Sequence, residues 1–214
     1  ALSGVVESGR IDLAASATGI ISPKERLTLG QKLQAGDAII ALESSGIHAN
    51  GISLARKLAE RLPDGYATRL SDGRYYGEAL LDPTIIYARV LEALFAAGLD
   101  LHYLSNITGH GWRKLMRHPA DLVYRIHTLP PVPPVLEFIQ QQAGLTAAEA
   151  YGSLNMGAGY AIYLPQDQAR QALQICDRAG VVAYLIGTVE SGDKNVIIEP
   201  LGVEFAGESL ELRG

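Results

Sequence analysis

The chain has 214 residues, of which 48% are hydrophobic and 19% are charged, and its formal net charge is −5. A chain of this length buries roughly 70% of its extended surface on folding, so it needs no disulfide or structural metal for stability. Its single cysteine can form no internal disulfide. The acidic balance argues against nucleic-acid binding through a broad basic face. No apolar run approaches the roughly 20 residues of a membrane span, and the start does not read as a secretory signal. We therefore expect a globular protein of the reducing cytoplasm, with neither nucleic acid nor membrane as a partner.

The first third of the chain alternates between strand-like and helix-like patterns. Residues 10–21 form a strand-like run, and residues 37–42 are a short, nearly all-apolar segment that suits a strand buried on both faces. From Ile52 the apolar residues fall at helical spacing. A second helix is predicted over 82–97, with Asp82 as the N-cap and a proline at the first helical position.

The rest of the chain continues the alternation irregularly. A proline-rich stretch at 129–134 is interpreted as a rigid connector entering a helix, in preference to a proline-motif ligand. Cys176 lies on the apolar face of a predicted helix, which favours an inert core thiol over a nucleophile. Strands are predicted at 101–107, 122–126, 155–164, 181–186 and 195–199, and helices after residues 111, 134 and 165. This order predicts an α+β fold within the α/β family of architectures: a mixed β-sheet covered by helices.

Three loops place glycines and polar residues where a strand meets the next element: the first loop (44–51), the second loop (108–111) and the third loop (155–159). Glycines allow close backbone approach, and free N–H groups at a helix start favour an anion such as phosphate. No standard nucleotide-binding pattern is present. Each loop alone is more typical of a tight turn, but three together make a ligand site an equally good interpretation. Asn50-Gly51 could also form a hairpin turn, which the helical spacing after it disfavours.

The histidines and serines in these loops are the side chains that could carry chemistry. His48 and His110 are candidates for substrate contact or proton transfer, with the alternative that each only caps its own loop. Ser44 and Ser45 lack the flanking glycines of a nucleophile elbow, so a serine hydrolase is disfavoured. The other three histidines have no carboxylate or thiol at ligand spacing, so no metal site is predicted.

Taken in order, these segments resemble the C-terminal part of the aminoimidazole ribonucleotide (AIR) synthetase family, the phosphoribosylformylglycinamidine cyclo-ligases. Together, the S-S-G-x-H-x-N-G-x-S-L and N-M-G elements are specific to this family and separate it from its relatives. Those relatives look different around the second loop; they are selenophosphate synthetase, the hydrogenase maturation protein, thiamin-monophosphate kinase and formylglycinamide ribonucleotide amidotransferase. The resemblance runs from about residue 11 to 190 and is carried by residues 36–57, 81–87, 107–111, 133–134, 154–159 and 186–189.

This resemblance implies an AIR synthase C-terminal-domain-like fold and a reaction in which formylglycinamidine ribonucleotide is closed to aminoimidazole ribonucleotide at the expense of ATP. It also implies a homodimer, and ATP and Mg²⁺ bound mainly by a preceding N-terminal domain. On this basis we expect 1–35 to be the end of that domain with a connector, 36–190 the C-terminal domain, and 191–214 an extension. We expect this chain alone to be inactive.

The loops are hypothesised to hold the ribose phosphate of the ribonucleotide substrate. One departure is that His110 stands where the family usually has the middle glycine of the second loop. A divergent paralogue, or a non-catalytic dimerisation or ligand-binding domain, therefore remains an alternative. A β-branched residue at Gly109 or Gly111 is expected to weaken binding without unfolding the domain. The proposed phosphate-binding residues are Ser44, Ser45, Gly46, Asn50, Gly51, Thr108, Gly109, Gly111, Asn155 and Gly157.

Overall fold

A computed structural model describes residues 15–210 of the chain. Its strands are β1 (Asp37–Glu43), β2 (Tyr103–Asn106), β3 (Leu122–Ile126), β4 (Ala158–Pro165), β5 (Ala183–Ser191), β6 (Asn195–Ile198) and β7 (Val203–Ala206). They form one seven-stranded sheet in the order β2-β4-β1-β5-β3-β6-β7. Neighbouring strands run antiparallel, except that β3 and β6 run parallel.

Helices cover both faces of this sheet. They are α1 (Ile52–Ala59), α2 (Tyr76–Ala79), α3 (Ala88–Ala96), α4 (Pro134–Ala143), α5 (Ala147–Ser153) and α6 (Ala169–Arg178). Short 3₁₀ turns cover Lys24–Arg26, Gly65–Ala67, Gly111–Met116, Gln166–Gln168, Glu199–Leu201 and Gly207–Leu210. No helix among residues 15–210 is long and apolar enough to cross a membrane.

The inner strand β1 shows how the two layers are built. Ile39 and Ala41 belong to the hydrophobic cluster of α1, α4, α5 and the Gly111–Met116 turn, whereas Ile40 and Leu42 belong to the cluster of α3 and α6. Residues 38–42 are completely buried. The predicted strand buried on both faces is confirmed, and so is the mixed sheet covered by helices. Cys176 is buried on α6, and this burial raises the pKa of its thiol to about 11.

The predicted start of the second helix is wrong. Asp82 does not cap a helix, because its carboxylate accepts two hydrogen bonds from the Arg74 guanidinium at 2.6 and 2.8 Å. Residues 82–86 are irregular, Ile86 is 80% exposed, and α3 begins only at Ala88. The Tyr87 hydroxyl fixes this segment to the sheet by donating to the carbonyl oxygen of Glu43 at 2.6 Å.

Other differences concern the second half of the chain. The sequence missed α5, although Thr146 and Glu149 form a capping box at its start. Strand β7 was not predicted either, and the predicted start of β4 at Asn155 is three residues too early, because Met156 and Gly157 form a turn before the strand begins at Ala158. β3 lies between β5 and β6, so these two consecutive strands do not pair.

At the N-terminal side, residues 15–21 belong to no strand, and residues 10–14 of the predicted strand lie outside the described part. The sheet itself extends past residue 190 through β6 and β7. The division of the chain into 1–35, 36–190 and 191–214 stays a prediction.

Candidate functional site: a cleft where three loops meet

The first and third loops are joined by one buried side-chain amide. Asn155, only 1% exposed, accepts hydrogen bonds at Oδ1 from the Ser44 hydroxyl at 2.7 Å and from the Gly157 N–H at 3.0 Å. Its Nδ2 donates to the carbonyl oxygens of Gly46 at 2.8 Å and Ile47 at 3.3 Å. All the hydrogen-bonding capacity of this amide therefore goes into the shape of the two loops.

The second loop is attached to the other two. Asn50 donates from Nδ2 to the carbonyl oxygen of Thr108 at 3.2 Å and to that of Ser153. The indole N–H of Trp112 donates to the Asn155 carbonyl oxygen at 2.8 Å, and the Ile107 N–H donates to that of Gly159 at 3.0 Å. The three loops that the sequence singled out do converge in space.

Between the loops lies a cleft of about 250 Å³, which we call the loop cleft. Four of the predicted site residues line it: His48, Asn50, Thr108 and Gly109. The sequence missed Thr84 and Asn106, which are polar but belong to no glycine motif; Thr84 does lie in the segment 81–87 that carries the family resemblance. The lining residues are His48, Ala49, Asn50, Thr84, Asn106, Ile107, Thr108 and Gly109.

Most other predicted site residues form the framework of the loops. Ser44 and Asn155 are buried and bonded to each other. Gly111 has φ +52°, and a β-carbon there would lie 2.8 Å from the Leu154 carbonyl oxygen and closer still to that of Tyr151. A side chain at Gly111 thus meets the backbone at the end of α5, which argues that replacing this glycine destabilises the fold as well as the loop. Gly46, Gly51 and Gly157 also have positive φ, at 152°, 88° and 95°.

Ser45 and His48 stabilise the outer rim of the first loop. The Ser45 hydroxyl donates to the Pro83 carbonyl oxygen at 2.6 Å, which ties this loop to the segment leading to α3. The Ser45 N–H donates to Nε2 of His48 at 3.2 Å. His48 has φ +54°, and burial lowers the pKa of its imidazole.

His110 does not line the loop cleft. Its carbonyl oxygen accepts a long hydrogen bond of 3.3 Å from Nε of Arg113. Burial lowers the pKa of its imidazole, and the charges of Arg113, Lys114 and Arg117 lower it further. Gly109 therefore lines the cleft, whereas His110, the residue that departs from the family pattern, does not.

A second polar cluster lies away from the cleft. His102, 5% exposed, has Nδ1 at 2.8 Å from Oδ2 of Asp37 and Nε2 at 3.4 Å from Oδ2 of Asp100. The Lys32 ammonium and the His102 ring lower the pKa of Asp100. Sequence spacing could not reveal the buried pair, because 65 residues separate its members.

The electrostatics of the loop cleft suit an anion, although no lysine or arginine lines it. α1 begins at Ile52, directly after the first loop, and its first turn carries no acidic residue, so the positive end of its dipole is not neutralised there. The side chains of Asn50, Thr84 and Thr108 add uncharged polar groups. Among residues 15–210, no three His, Cys, Asp or Glu side chains form a group that could hold a metal ion.

Comparison with known families fixes the relationship of the chain. Residues 34–199 match the family described as AIR synthase related protein, C-terminal domain. The chain belongs to this family. The phosphoribosylformylglycinamidine cyclo-ligase of Methanococcus vannielii is 34% identical over 205 residues, covering 94% of this chain and 58% of that protein. That of Shouchella clausii is 36% identical over 203 residues, covering 92% and 58%. The chain thus spans less than two thirds of the length of these relatives.

The fold is also found in solved structures. A crystal structure of the hydrogenase maturation protein HypE superposes with a TM-score of 0.56 at 21% identity, covering 86% of this chain and 56% of that one. At this identity the likeness concerns the fold alone. The resemblance and the fold predicted from the sequence are both confirmed.

Proposed function

We propose that the chain is the C-terminal, substrate-side part of an ATP-dependent cyclo-ligase that converts formylglycinamidine ribonucleotide to aminoimidazole ribonucleotide in purine biosynthesis. The observation that carries this proposal is the identity of 34% and 36%, over more than nine tenths of the chain, to relatives that bear this enzyme's name. Because the chain spans 58% of those relatives, the complete reaction is proposed for a whole protein of their length. Neither of the alternatives, a divergent paralogue or a non-catalytic domain, is favoured by a particular observation.

Within this function the loop cleft receives the phosphate end of the ribonucleotide. Its volume of 250 Å³ is below the roughly 300–1,000 Å³ of pockets that enclose a drug-sized ligand, so the rest of the substrate lies outside. Thr108 and Gly109 would contact the phosphate, and the α1 N-terminus would favour its charge. Asn50 donates both of its amide hydrogens to backbone carbonyl oxygens, so it would hold the second loop in place. Ser44 and Asn155, with the positive-φ glycines, would hold these contacts in place.

ATP supplies the phosphoryl group that turns the amide oxygen of the substrate into a leaving group for ring closure. Following the family resemblance, we assign ATP and Mg²⁺ mainly to the part of the relatives that this chain does not span. We further propose a homodimer in the cytoplasm. The role of this chain is then to bind and orient the ribonucleotide.

Isothermal titration with formylglycinamidine ribonucleotide tests the assignment. Gly109→Val should weaken binding, because the new side chain would occupy part of the cleft that Gly109 lines. The fold should tolerate the change, since a β-carbon at this position lies 3.6 Å from Oδ1 of Asn50, its nearest neighbour. Ala206→Val, at an exposed position of strand β7, is the matched control and should bind as the parent does. Equal affinity of the Gly109→Val protein and the parent would refute the assignment of this loop.

A further inference from the structure

The imidazole of His48 is held in one orientation by contacts from three parts of the chain. Its Nε2 accepts the Ser45 N–H at 3.2 Å. Its Cε1 lies so close to Gly159 of the third loop that a β-carbon there would be 2.8 Å away. The ring of Tyr87 lies beside it, at a centroid distance of 6.4 Å and an angle of 52°. The ring therefore has little freedom to turn.

These contacts determine which ring nitrogen carries the proton. A nitrogen that accepts a hydrogen bond from a backbone N–H has no proton of its own, so in the neutral ring the proton is on Nδ1. Burial lowers the pKa of His48, which favours the neutral ring at pH 7. The hydroxyl of Tyr87 donates to the backbone carbonyl oxygen of Glu43, and the Glu43 carboxylate accepts from the Val182 N–H. Neither group makes a hydrogen bond to the His48 ring within the described part of the chain.

The Nδ1 atom of His48 is not fully buried and has no hydrogen-bond partner among the described residues. Since His48 is one of the residues that line the loop cleft, we infer that Nδ1 is open to the cleft. The backbone of His48 is in the left-handed region at φ +54°, an uncommon conformation for a residue other than glycine, which persists where the surroundings impose it.

We propose that His48 is a ligand-positioning residue that acts as a neutral hydrogen-bond donor: its Nδ1–H donates to a phosphate oxygen of the ligand in the loop cleft. The identity of that ligand rests on the proposed function, whereas the tautomer rests on the structure of this chain alone. The sign of the pH dependence separates this role from that of a cationic histidine. Protonation would put a proton on Nε2 facing the Ser45 N–H, so acid disrupts the first loop and weakens binding, whereas a cationic histidine would bind phosphate more tightly in acid.

The tautomer can be measured without any ligand. Long-range ¹H–¹⁵N correlation spectra of the labelled protein at pH 7.5 give the protonation of each imidazole nitrogen, and the His48 signals are those lost in His48→Gln. The expected result is a protonated Nδ1 and an unprotonated Nε2. The opposite tautomer, or a doubly protonated ring at this pH, would overturn the proposal whatever the substrate is.

Two variants then separate the two nitrogens in a titration with formylglycinamidine ribonucleotide. His48→Gln keeps an acceptor near the Nε2 position and lacks the Nδ1 donor, whereas His48→Asn keeps a donor near Nδ1 and suits a positive φ. Loss of a hydrogen bond to a charged group predicts about ten- to a hundredfold weaker binding for His48→Gln, with His48→Asn closer to the parent. The affinity of the parent should also fall more steeply than that of His48→Gln below pH 6.5.

Each outcome of the titration decides one point. Equal affinity of the parent and His48→Gln overturns the donor role. If the parent does not bind the ribonucleotide, the ligand named in the proposed function is wrong, and the tautomer result still stands on the spectra. Tighter binding by the parent in acid, relative to His48→Gln, would assign His48 as a cation.

Discussion

The hydroxyl of Ser44 donates to the side-chain oxygen of Asn155 at 2.7 Å, across 111 residues of sequence. The same amide donates to the carbonyl oxygen of Gly46 at 2.8 Å, so a single buried side chain links the end of β1 to the turn before β4. These two strands are neighbours in the sheet. The shape of the loop cleft therefore depends on a hydrogen-bonded amide that does not line it.

Asn155→Ala is expected to lower the free energy of unfolding by about 2–4 kcal/mol, because it leaves the Ser44 hydroxyl and the Gly46 carbonyl buried without this partner. Urea denaturation measures the change. Asn106→Ala, at an exposed asparagine of β2, should change stability by no more than about 0.5 kcal/mol. A loss below about 1 kcal/mol at Asn155 would show that the loops keep their shape without it.

Replacing each of the two glycines of the second loop by alanine should have very different effects on stability. At Gly111 the new β-carbon meets the carbonyl oxygens of Tyr151 and Leu154 in a backbone of positive φ, so we expect a loss of about 3 kcal/mol or more. At Gly109 there is room, and the change should stay within about 0.5 kcal/mol. Thermal denaturation of both variants checks this contrast, and similar melting temperatures would contradict it.

The buried pair of Asp37 and His102 yields a third prediction. In His102→Leu, the Asp37 carboxylate, 2% exposed, keeps the backbone N–H of Gln34 as its remaining donor among the described residues. A buried charge without its partner typically costs 3–5 kcal/mol, and chemical denaturation should show a loss of about that size. His127→Leu breaks the partly exposed contact with Glu199 and should cost no more than about 1 kcal/mol. Equal losses in the two variants would mean that burial of the first pair is irrelevant.

The lowered pKa of His48 predicts how stability depends on pH. In the unfolded chain the imidazole has its ordinary value of about 6.5, whereas burial lowers it in the folded protein. As the pH falls below 6.5, the unfolded state takes up the proton first, so the stability that this group contributes above that pH is lost. His48→Gln should therefore lose less stability than the parent between pH 7 and pH 5. His110 and His118, whose pKa values are also lowered, titrate in both proteins and cancel; parallel stability curves would contradict this prediction.

Local patterns predicted the elements that local physics decides. The apolar run of β1 and the helical spacing after Ile52 gave the right structures because hydrophobic periodicity follows burial directly. Asp82 misled the prediction because an aspartate suits an N-cap and an ion pair equally well, and only the fold brings Arg74 to it. The insertion of β3 between β5 and β6 is likewise a property of the tertiary structure.

The sequence likewise predicted those features of the candidate site that depend on local conformation, and not those that depend on tertiary packing. Glycines mark where the chain turns tightly, so the three loops were found, and so were four residues of the cleft lining. Whether a glycine lies beside the cleft, like Gly109, or against another helix, like Gly111, depends on what packs opposite it. Thr84 and Asn106 carry no motif and become visible only when the loops are assembled.

The position of β1 has a consequence for biosynthesis. This strand is synthesised well before its two neighbours in the sheet, which are residues 158–165 and 183–191. At roughly 5–20 residues per second, the ribosome needs on the order of ten seconds or more to deliver them. Throughout that interval the Ala-Ile-Ile-Ala-Leu run at 38–42, which has no proline or charge to oppose intermolecular pairing, is without its permanent partners. A strand that is completely buried in the folded sheet is thus a segment of the nascent chain that needs temporary cover.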